Sequence, residues 1–502
     1  MAAASWRRQA PWLALPLGAL QSLAFAPFGI WPLGPLALVL LWWLWEGARP
    51  RQAAATGFAF SAGLFLAGTY WLYTSIHTFG EAPIALALLL MFGLVALMGS
   101  YTALLGALLA HWAPARGPWR LLAVMPAGWI LMEWVRGWFL SGFPWLAVGY
   151  SQIDAPLAGY APVLGIYGTG LATAFTAGAL LLAASVSVRH RLLLLAVVVA
   201  LWGGGALLMR VEWTHPSGPP LTVALVQPSI SQDLKWQASN REHTLELYHQ
   251  MTESALGARL VVWPETALPE AFEDAVPYLK SIYRDARAKG TDLLLGLDRF
   301  DAAGEQPYNG LVALGDDIQW YYKRRLVPFG EFFPVPKFVR AWMRLKNLAF
   351  VDFLAGAPDQ PALDAAGQKI GVTICYEDAY AVEQLAVLRE ATLLVNVSND
   401  AWFGDSTAPH QHLEIARMRA LEAGRWLMRS TNNGVSALID PHGRVVARAQ
   451  QFEVVVLRGE VVPHTGLTPY AVLRNWPVLG GTVLLLALAG FAGRRRRALS
   501  VA

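Results

Sequence analysis

The stretch that decides the fold is "KIGVTICYED", residues 369–378, in which an apolar run rich in β-branched residues ends at Cys375. This thiol is the only cysteine among 502 residues, so neither an intrachain disulfide nor a Cys-x-x-Cys site can form. A lone cysteine is either a small apolar core residue or a nucleophile. The surrounding pattern has to decide between the two.

Further apolar runs with strand character recur on both sides of this one. Residues 241–256 instead place apolar side chains at helical spacing. Alternating strands and helices predict an α/β domain in which helices cover a sheet, and catalytic groups in such domains lie at strand ends. The predicted strands are residues 221–227, 259–265, 291–297, 309–315, 369–377, 392–398, 426–432 and 435–440.

Two more motifs place charged groups after apolar runs. "VVWPET", residues 261–266, carries Glu265, and "YYKRRLVPFGEFFP", residues 321–334, carries Lys323 and Glu331. Each motif alone is weak evidence, but together with the thiol they suggest a mechanism. A cysteine needs a base or a positive neighbour to become a thiolate. Glu265 is a candidate general base, and Lys323 can stabilise negative charge on an intermediate.

In this order, the motifs "WPET", "YYK…PFGE" and "CYED" resemble the nitrilase (carbon–nitrogen hydrolase) superfamily. The resemblance covers about residues 220–465 and implies an αββα sandwich. The whole chain resembles the apolipoprotein N-acyltransferase family, bacterial inner-membrane enzymes that complete lipoprotein maturation. That second resemblance rests also on "GFPWLAVGYSQID" (142–154), "QPSISQDLKW" (227–236) and "NVSNDAWFGDS" (396–406).

The resemblance implies a ping-pong acyl transfer without a cofactor. Cys375 would attack the sn-1 ester of a phospholipid, typically phosphatidylethanolamine, to give a thioester. The α-amine of the S-diacylglyceryl cysteine of an apolipoprotein would then take the acyl group. Glu265 is implied as base and Lys323 as intermediate stabiliser. The implied supporting residues are Glu331, Tyr376 and Glu377.

Substrate-binding residues are expected around this centre. The resemblance matches Trp236 to a position for acceptor handling, and Asn399 and Trp402 are candidates for lining the acyl pocket. Residues 336–348 interleave apolar and basic side chains, as in an interfacial helix, although a helix packed on its own domain is equally compatible. We therefore expect residues 332–360 to be a lid that admits lipid, with Phe338 and Trp342 in contact with it.

The composition indicates a membrane protein: 55% hydrophobic residues, 22 Trp and 15% charged residues, with a mean hydropathy of +0.39. Apolar runs long enough to cross a bilayer predict a helical bundle of about eight spans beside the extramembrane α/β domain. Residues 139–160 are a candidate segment that enters without crossing. The predicted spans are residues 10–26, 31–47, 55–75, 83–110, 119–139, 160–186, 192–209 and 476–493.

Arginine placement predicts the orientation through the positive-inside rule. Basic residues fall on alternate loops, which puts both termini in the cytoplasm and the catalytic domain in the periplasm of a bacterial inner membrane. The first span also has features of a signal peptide, but Pro27 follows the potential cleavage site and favours an uncleaved anchor. The expected domains are residues 1–210, 211–470 and 471–502.

The remaining charged residues and histidines of the sequence predict no additional cofactor or nucleic-acid partner. Glu133 and Arg136, within the fifth span, are expected to pair or to line a polar cavity. His410 and His412 lack further ligands at familiar spacing, so no metal is expected. The net charge of +4 is explained by topology and needs no nucleic-acid partner. We expect a monomer.

Two other functions compete with acyl transfer. A membrane-anchored amidase or nitrilase-type hydrolase would keep Glu265, Lys323 and Cys375 but would not depend on phospholipid. A transporter or lipid-binding scaffold would tolerate loss of the thiol, although such proteins usually show broken spans at paired positions, and the sequence shows no such symmetry.

Overall fold

The computed structural model describes residues 2–112, 117–333, 338 and 352–501, with side chains described between residues 9 and 491 of these ranges. The chain divides into two compact units. The first comprises Met1–Glu212, Asp405–Glu414 and Thr468–Ala502. The second comprises Trp213–Gly404 and Ile415–Leu467.

The first unit is helical. Its first and third helices approach closely, because a Cβ at Gly18 or Gly63 would lie within 2 Å of a carbonyl oxygen of the other helix. Small residues at such crossings let apolar helices pack backbone to backbone. The helices are Ala2–Gln21, Leu33–Trp45, Pro50–Gly68, Trp71–Tyr73, Ile84–Trp112, Met125–Arg136, Ala161–Ala183, Val188–Leu208, Pro469–Leu473 and Trp476–Val501.

Fewer helices than the predicted eight have the length and apolarity of a membrane span. Within the described residues, three qualify: Ile84–Trp112, Pro156–Ala183 and Val188–Leu208. A fourth is obtained if Pro50–Gly68 and Trp71–Phe79, bent by 57°, form one span. The helices Leu33–Trp45 and Trp476–Phe491 are apolar but shorter, so these criteria support a membrane protein without establishing eight crossings.

Glu133 and Arg136 were expected to pair or to line a polar cavity, and in the part of the chain that the structure describes they form no ion pair with each other. Both are buried, and both bind the loop that follows their helix. Glu133 accepts from the backbone N–H of Val148 at 2.9 Å. Arg136 donates to the carbonyls of Phe143 and Trp145 at 2.9 and 2.7 Å. These charges therefore hold an irregular loop, whose buried backbone groups need partners.

The second unit contains two six-stranded sheets and a two-stranded ribbon. The first sheet has the order β13-β2-β3-β4-β5-β6, the second has the order β12-β11-β10-β9-β8-β7, and β1 pairs with β14. The strands are β1 His215–Pro216, β2 Leu221–Gln227, β3 Leu260–Val262, β4 Asp292–Phe300, β5 Pro307–Leu314, β6 Ile318–Tyr322, β7 Leu363–Ala365, β8 Gln368–Ile374, β9 Leu393–Ser398, β10 Leu427–Thr431, β11 Ala437–Ile439, β12 Val445–Arg448, β13 Val455–Val461 and β14 His464–Thr465.

Alternating side chains explain how these sheets pack. In β2, Val223 and Leu225 enter a core shared with Ile370 and Val372 of β8, whereas Ala224 and Val226 enter a second core. Side chains of a strand alternate between its two faces, so the first sheet is covered on both sides. This is why its strands read as nearly continuous apolar runs.

Helices cover the outer face of the first sheet. Tyr248 and Leu279, from two different helices, belong to the second core. The helices of this part of the chain are Gln232–Lys235, Arg241–Ala255, Phe272–Ala288, Ala381–Leu385 and Ala408–Ala423. In the second sheet β8, β9 and β10 run parallel, so their carboxyl ends meet at one edge, where Cys375 follows β8.

Candidate active site

Cys375 lies directly after β8 in a strained backbone conformation. Its φ is +52°, a left-handed value that is uncommon for residues other than glycine. Such strain is retained where the surrounding structure over-determines it and often marks functional sites. The carbonyl of Cys375 accepts a hydrogen bond from Asn396 Nδ2 at 3.4 Å. Cys375 as a whole residue is partly exposed, which is compatible with access of a substrate.

Glu265 is held by three donors after β3. Its Oε2 accepts from the backbone N–H of Asn399 at 2.8 Å. Its Oε1 accepts from Asn309 Nδ2 at 2.7 Å and from Lys323 Nζ at 2.9 Å. The backbone before Glu265 passes so close to β4 that a Cβ at Gly296 would lie 2.2 Å from Pro264 O. The carboxylate position is therefore fixed by packing as well as by hydrogen bonds.

Lys323 follows β6 and lies between two carboxylates. Its Nζ donates to Glu331 Oε1 at 2.7 Å as well as to Glu265, and only 1% of its surface is exposed. Asn309 Nδ2 also reaches both carboxylates, with a distance of 2.9 Å to Glu331. The backbone N–H of Val327 completes the environment of Glu331 at 2.7 Å. The predicted supporting carboxylate thus contacts the predicted lysine directly.

The charges of this group set its protonation states. Burial raises the pKa of Glu265, but Lys323 and the hydrogen bonds outweigh it, so the pKa is lowered. Burial lowers the pKa of Lys323, but the neighbouring carboxylates outweigh it, so the pKa is well above its ordinary value. Burial raises the pKa of the Cys375 thiol, Glu265 adds to this and Lys323 opposes it, leaving the pKa well above its ordinary value.

The raised pKa of the thiol agrees with a role for Glu265 as a general base, which remains a prediction. Lys323 does favour the thiolate, but its charge is shared with two carboxylates, and burial disfavours any added charge. Glu265, Lys323 and Cys375 do lie close enough for their charges to act on one another. We therefore expect the thiol to lose its proton as it attacks a substrate.

Glu377 fixes the turn that carries Cys375. Its carboxylate is fully buried and accepts from the backbone N–H of Ile374 at 2.8 Å and of Arg324 at 2.6 Å. The hydroxyl of Tyr321 donates to it at 3.0 Å. It therefore ties the chain before Cys375 to the chain after Lys323. The ring of Tyr376 packs edge-on against Tyr380, and its predicted supporting role remains a prediction.

The predicted substrate-binding residues have different surroundings. The side chain of Asn399 is buried and bonded to Gln232 and Asn432, both at 3.0 Å, so it braces the loop that holds Glu265. Trp236 is 54% exposed, Trp402 39% and Phe338 75%. Trp342 and most of residues 332–360 lie outside the described residues. Substrate contact by all five residues, and the lid, remain predictions.

A second buried ionic group under the cysteine turn was missed by the sequence analysis. Arg429 of β10 donates to Asp400 Oδ2 at 2.9 Å and to Asn396 Oδ1, and it lies 3.6 Å from Asp378 Oδ2. Asn396 in turn holds the Cys375 carbonyl. The signal was an arginine inside the apolar strand "LMRST". Asn309 was missed because it lies within a predicted strand.

The described residues contain no group of three or more histidine, cysteine, aspartate or glutamate side chains that could hold a metal ion. A thiol, a carboxylate and an ammonium in mutual electrostatic contact suit acyl transfer through a covalent intermediate.

Comparison with known proteins identifies the family. An apolipoprotein N-acyltransferase N-terminal domain model matches residues 17–180, and a carbon-nitrogen hydrolase model matches residues 222–466. An apolipoprotein N-acyltransferase from Methylococcus capsulatus is 42% identical over 494 residues, with 97% of each chain covered. The chain belongs to the apolipoprotein N-acyltransferase family. A protein of the same name from Azotobacter vinelandii is 44% identical, with 97% of this chain and 95% of that protein covered.

As a member of the apolipoprotein N-acyltransferase family, the chain is an acyltransferase, and the predicted nitrilase-like fold is confirmed by the carbon-nitrogen hydrolase match. Solved structures give weaker likenesses. A carbon-nitrogen hydrolase from Helicobacter pylori G27 is 17% identical with a TM-score of 0.37, covering 52% of this chain and 94% of that chain. An amidase from Nesterenkonia sp. is 18% identical with a TM-score of 0.38, covering 53% and 96%.

Proposed function

We propose that this chain N-acylates the N-terminal S-diacylglyceryl cysteine of apolipoproteins, using a phospholipid as acyl donor, in the final step of bacterial lipoprotein maturation. The observation that carries the proposal is the buried contact of Lys323 with Glu265 and Glu331 beside Cys375. This constellation occurs in a chain that matches its named relatives along nearly its whole length. Phosphatidylethanolamine is the donor that we expect.

The first half-reaction forms a thioester on Cys375. Glu265 takes the thiol proton while Sγ attacks the carbonyl carbon of the sn-1 ester, which avoids a free thiolate in the resting site. Lys323 stabilises the negative charge that develops on the carbonyl oxygen. The C–O bond then breaks, and the proton passes from Glu265 to the leaving lysophospholipid oxygen.

The second half-reaction transfers the acyl group to nitrogen. The acceptor amine attacks the thioester carbonyl, an amide C–N bond forms, and the C–S bond breaks. Sγ leaves with the electron pair and is protonated again. Water has to be excluded during this step, because it would hydrolyse the thioester. Glu331 positions Lys323 throughout, and Tyr376 and Glu377 support the turn of Cys375.

The membrane arrangement is part of the proposal. The chain has about eight spans in the bacterial inner membrane, with both termini cytoplasmic and residues 211–470 in the periplasm. Residues 1–210 and 471–502 form the membrane part. The alternating arginine-rich loops and the apolar helices support this topology. Trp236, Trp402 and Phe338 are exposed and are proposed to meet lipid or acceptor, and the enzyme acts as a monomer.

The test is a reconstituted reaction of the purified full chain with isotope-labelled phosphatidylethanolamine and a synthetic diacylglyceryl-cysteine peptide. We expect lysophospholipid and N-acylated peptide in equal amounts, and neither product with Cys375→Ala. Acyl groups released only as free fatty acid, with or without peptide, would instead indicate a hydrolase. Absence of any phospholipid turnover would leave the scaffold alternative.

A further inference from the structure

A second polar cluster adjoins the active site in the first sheet. It contains Lys235 from a short helix, Asp298 from β4 and Asn309 from β5. In the strand register Asp298 lies directly opposite Asn309, and cross-strand partners project from the same face of a sheet. Asn309 is the residue that holds Glu265 and Glu331. Because β4 lies between β3, which Glu265 follows, and β5, Asp298 lies on a strand between those that position the catalytic residues.

Two buried polar groups of this cluster have unused hydrogen-bonding capacity. Asn309 is 3% exposed, and its Oδ1 has no hydrogen-bond partner among the described residues. Lys235 is 2% exposed. Its Nζ lies 5.8 Å from the ring centroid of Trp236, with no hydrogen bond or ion pair to the described part of the chain. A buried acceptor without a partner is costly, so Asn309 Oδ1 points to a ligand that donates a hydrogen bond, and the Lys235 ammonium could donate one to an acceptor on the same ligand.

Asp298 is the least buried residue of the cluster. It is half-buried and accepts a hydrogen bond at 3.2 Å from Oγ1 of Thr266, the residue that follows Glu265 in the chain. The charges of Lys235, Glu265 and Glu331 all act on it. With Lys323, the combined site has three carboxylates against two ammonium groups. This excess of negative charge favours a cationic ligand over an anionic one such as a phosphate.

We propose that Asp298 and the Oδ1 of Asn309 bind the α-ammonium of the acceptor and that Asp298 removes one of its protons before it attacks the Cys375 thioester. Lys235 is placed to donate to the first peptide carbonyl of the same acceptor. This inference rests on the proposed function and names the group that activates the second substrate. Glu265 remains the base for the thiol.

The protons balance in this scheme. The ammonium R–NH3⁺ gives one proton to the carboxylate of Asp298, and the free amine attacks the thioester carbonyl carbon. After the C–N bond forms, the nitrogen loses its second proton through Glu265 to the departing Sγ. Asp298 then releases its proton to solvent. The products are an amide and the neutral thiol with which the cycle began.

The pKa values of Asp298 and Glu265 agree with Asp298 as the base for the amine and Glu265 as the base for the thiol. Burial raises the pKa of Asp298, Lys235 and the Thr266 hydrogen bond oppose it, and the result is about 7. A peptide α-amine has a pKa of about 7.7–8, so proton transfer to Asp298 is nearly balanced. Glu265, whose pKa is lowered, is a much weaker base for this proton.

The experiment separates the two half-reactions of the full-length enzyme. The enzyme is first acylated with labelled phosphatidylethanolamine and freed of donor. It is then mixed with the synthetic diacylglyceryl-cysteine peptide between pH 5.5 and 9. Asp298→Asn should slow transfer about 100-fold, a typical size for general-base catalysis, and should affect acylation far less. Glu305→Gln, an exposed carboxylate on the same hairpin, is the matched control and should match the wild type.

The pH dependence of the transfer rate distinguishes proton transfer by Asp298 from a purely structural role. Asp298 acts as a carboxylate, so transfer should decline as pH falls below about 7. Lys235 lowers the pKa of Asp298. Lys235→Met should therefore shift this decline to higher pH while leaving transfer measurable.

Unchanged transfer rates and an unchanged profile in both variants would overturn the inference, even if the acyl-enzyme forms normally. Equal losses in acylation and transfer for Asp298→Asn would also overturn it. Failure of the wild type to form any acyl-enzyme would instead contradict the proposed function itself.

Discussion

Lys323 Nζ lies 2.9 Å from Glu265 Oε1 with both side chains buried. This ion pair connects the end of β6 to the turn after β3, two places that are distant in sequence. Because Glu331 competes for the same ammonium, the group as a whole carries more negative than positive charge. Its stability and its reactivity therefore both depend on the lysine.

Lys323→Met should destabilise the protein. Removal of one partner from a buried ion pair leaves an uncompensated charge and costs about 3–5 kcal/mol. The control is Lys369→Met, which removes an ion pair to Asp364 in which both side chains are about half exposed. Such pairs contribute about 0–1 kcal/mol. Denaturation of both variants in the same detergent measures the difference, and equal stability losses would contradict the buried ion pair.

Glu265→Gln should make the thiol more reactive while abolishing acyl transfer. The negative charge of Glu265 raises the pKa of Cys375, and Lys323 lowers it. Without the carboxylate, the thiol should ionise at lower pH, and alkylation by iodoacetamide at pH 8 should accelerate several-fold. Intact-mass measurements between pH 6.5 and 10 follow the reaction.

The matched control for this experiment is Glu390→Gln, an exposed carboxylate, which should alkylate like the wild type. A slower or unchanged reaction of the Glu265 variant would mean that this carboxylate does not control the thiol. Acyl transfer should fall by at least about 100-fold in Glu265→Gln, because general-base catalysis is lost.

Glu377→Gln should loosen the cysteine turn. The carboxylate accepts backbone N–H groups from Ile374 and Arg324, and an amide would turn one oxygen into a donor that faces them. A buried unsatisfied group costs about 1–3 kcal/mol. We expect acyl-enzyme formation to fall more than tenfold, whereas Glu460→Gln, an exposed carboxylate on β13, should leave it intact. Full activity of the Glu377 variant would show that the turn does not need this anchor.

Arg429→Lys should destabilise the turn of Cys375, because Arg429 contacts Asn396, which holds the Cys375 carbonyl. Arginine contacts both Asp400 and Asn396, and a lysine ammonium cannot reproduce the planar, two-sided geometry of the guanidinium. We predict reduced thermal stability and slower acylation, compared with Arg448→Lys on the exposed side of β12. Equal thermal stability and equal acylation rates of the two variants would show that Arg429 does not support the turn of Cys375.

The sequence predicted the parts of this site that follow apolar runs. Cys375 and Glu265 end predicted strands, and β2 has the bounds expected for residues 221–227. Lys323 was identified by motif alone, because β6 was not predicted. Its contact with Glu265 also depends on the strand order β3-β4-β5-β6 in the first sheet, which no local pattern shows.

Other features depend on contacts that no local pattern encodes. Asp298 and Asn309 are neighbours because the register of β4 and β5 pairs them. The hydrogen bond from Arg429 to Asp400 joins β10 to the turn after β9. The sequence showed Lys323 as a positive neighbour of the thiol but not that two carboxylates share its charge. The predicted count of about eight spans is not established for a related reason: apolarity alone does not show whether a helix is long enough to cross, as Leu33–Trp45 illustrates.

The most direct test of the central claim is mass spectrometry of the Cys375 peptide after incubation of the purified chain with phosphatidylethanolamine and no acceptor. We predict the added mass of one fatty acyl group on Cys375, removable by neutral hydroxylamine as a thioester and discharged by the diacylglyceryl-cysteine peptide. An unmodified Cys375 peptide in an enzyme that still N-acylates the acceptor peptide would contradict a thioester intermediate on Cys375.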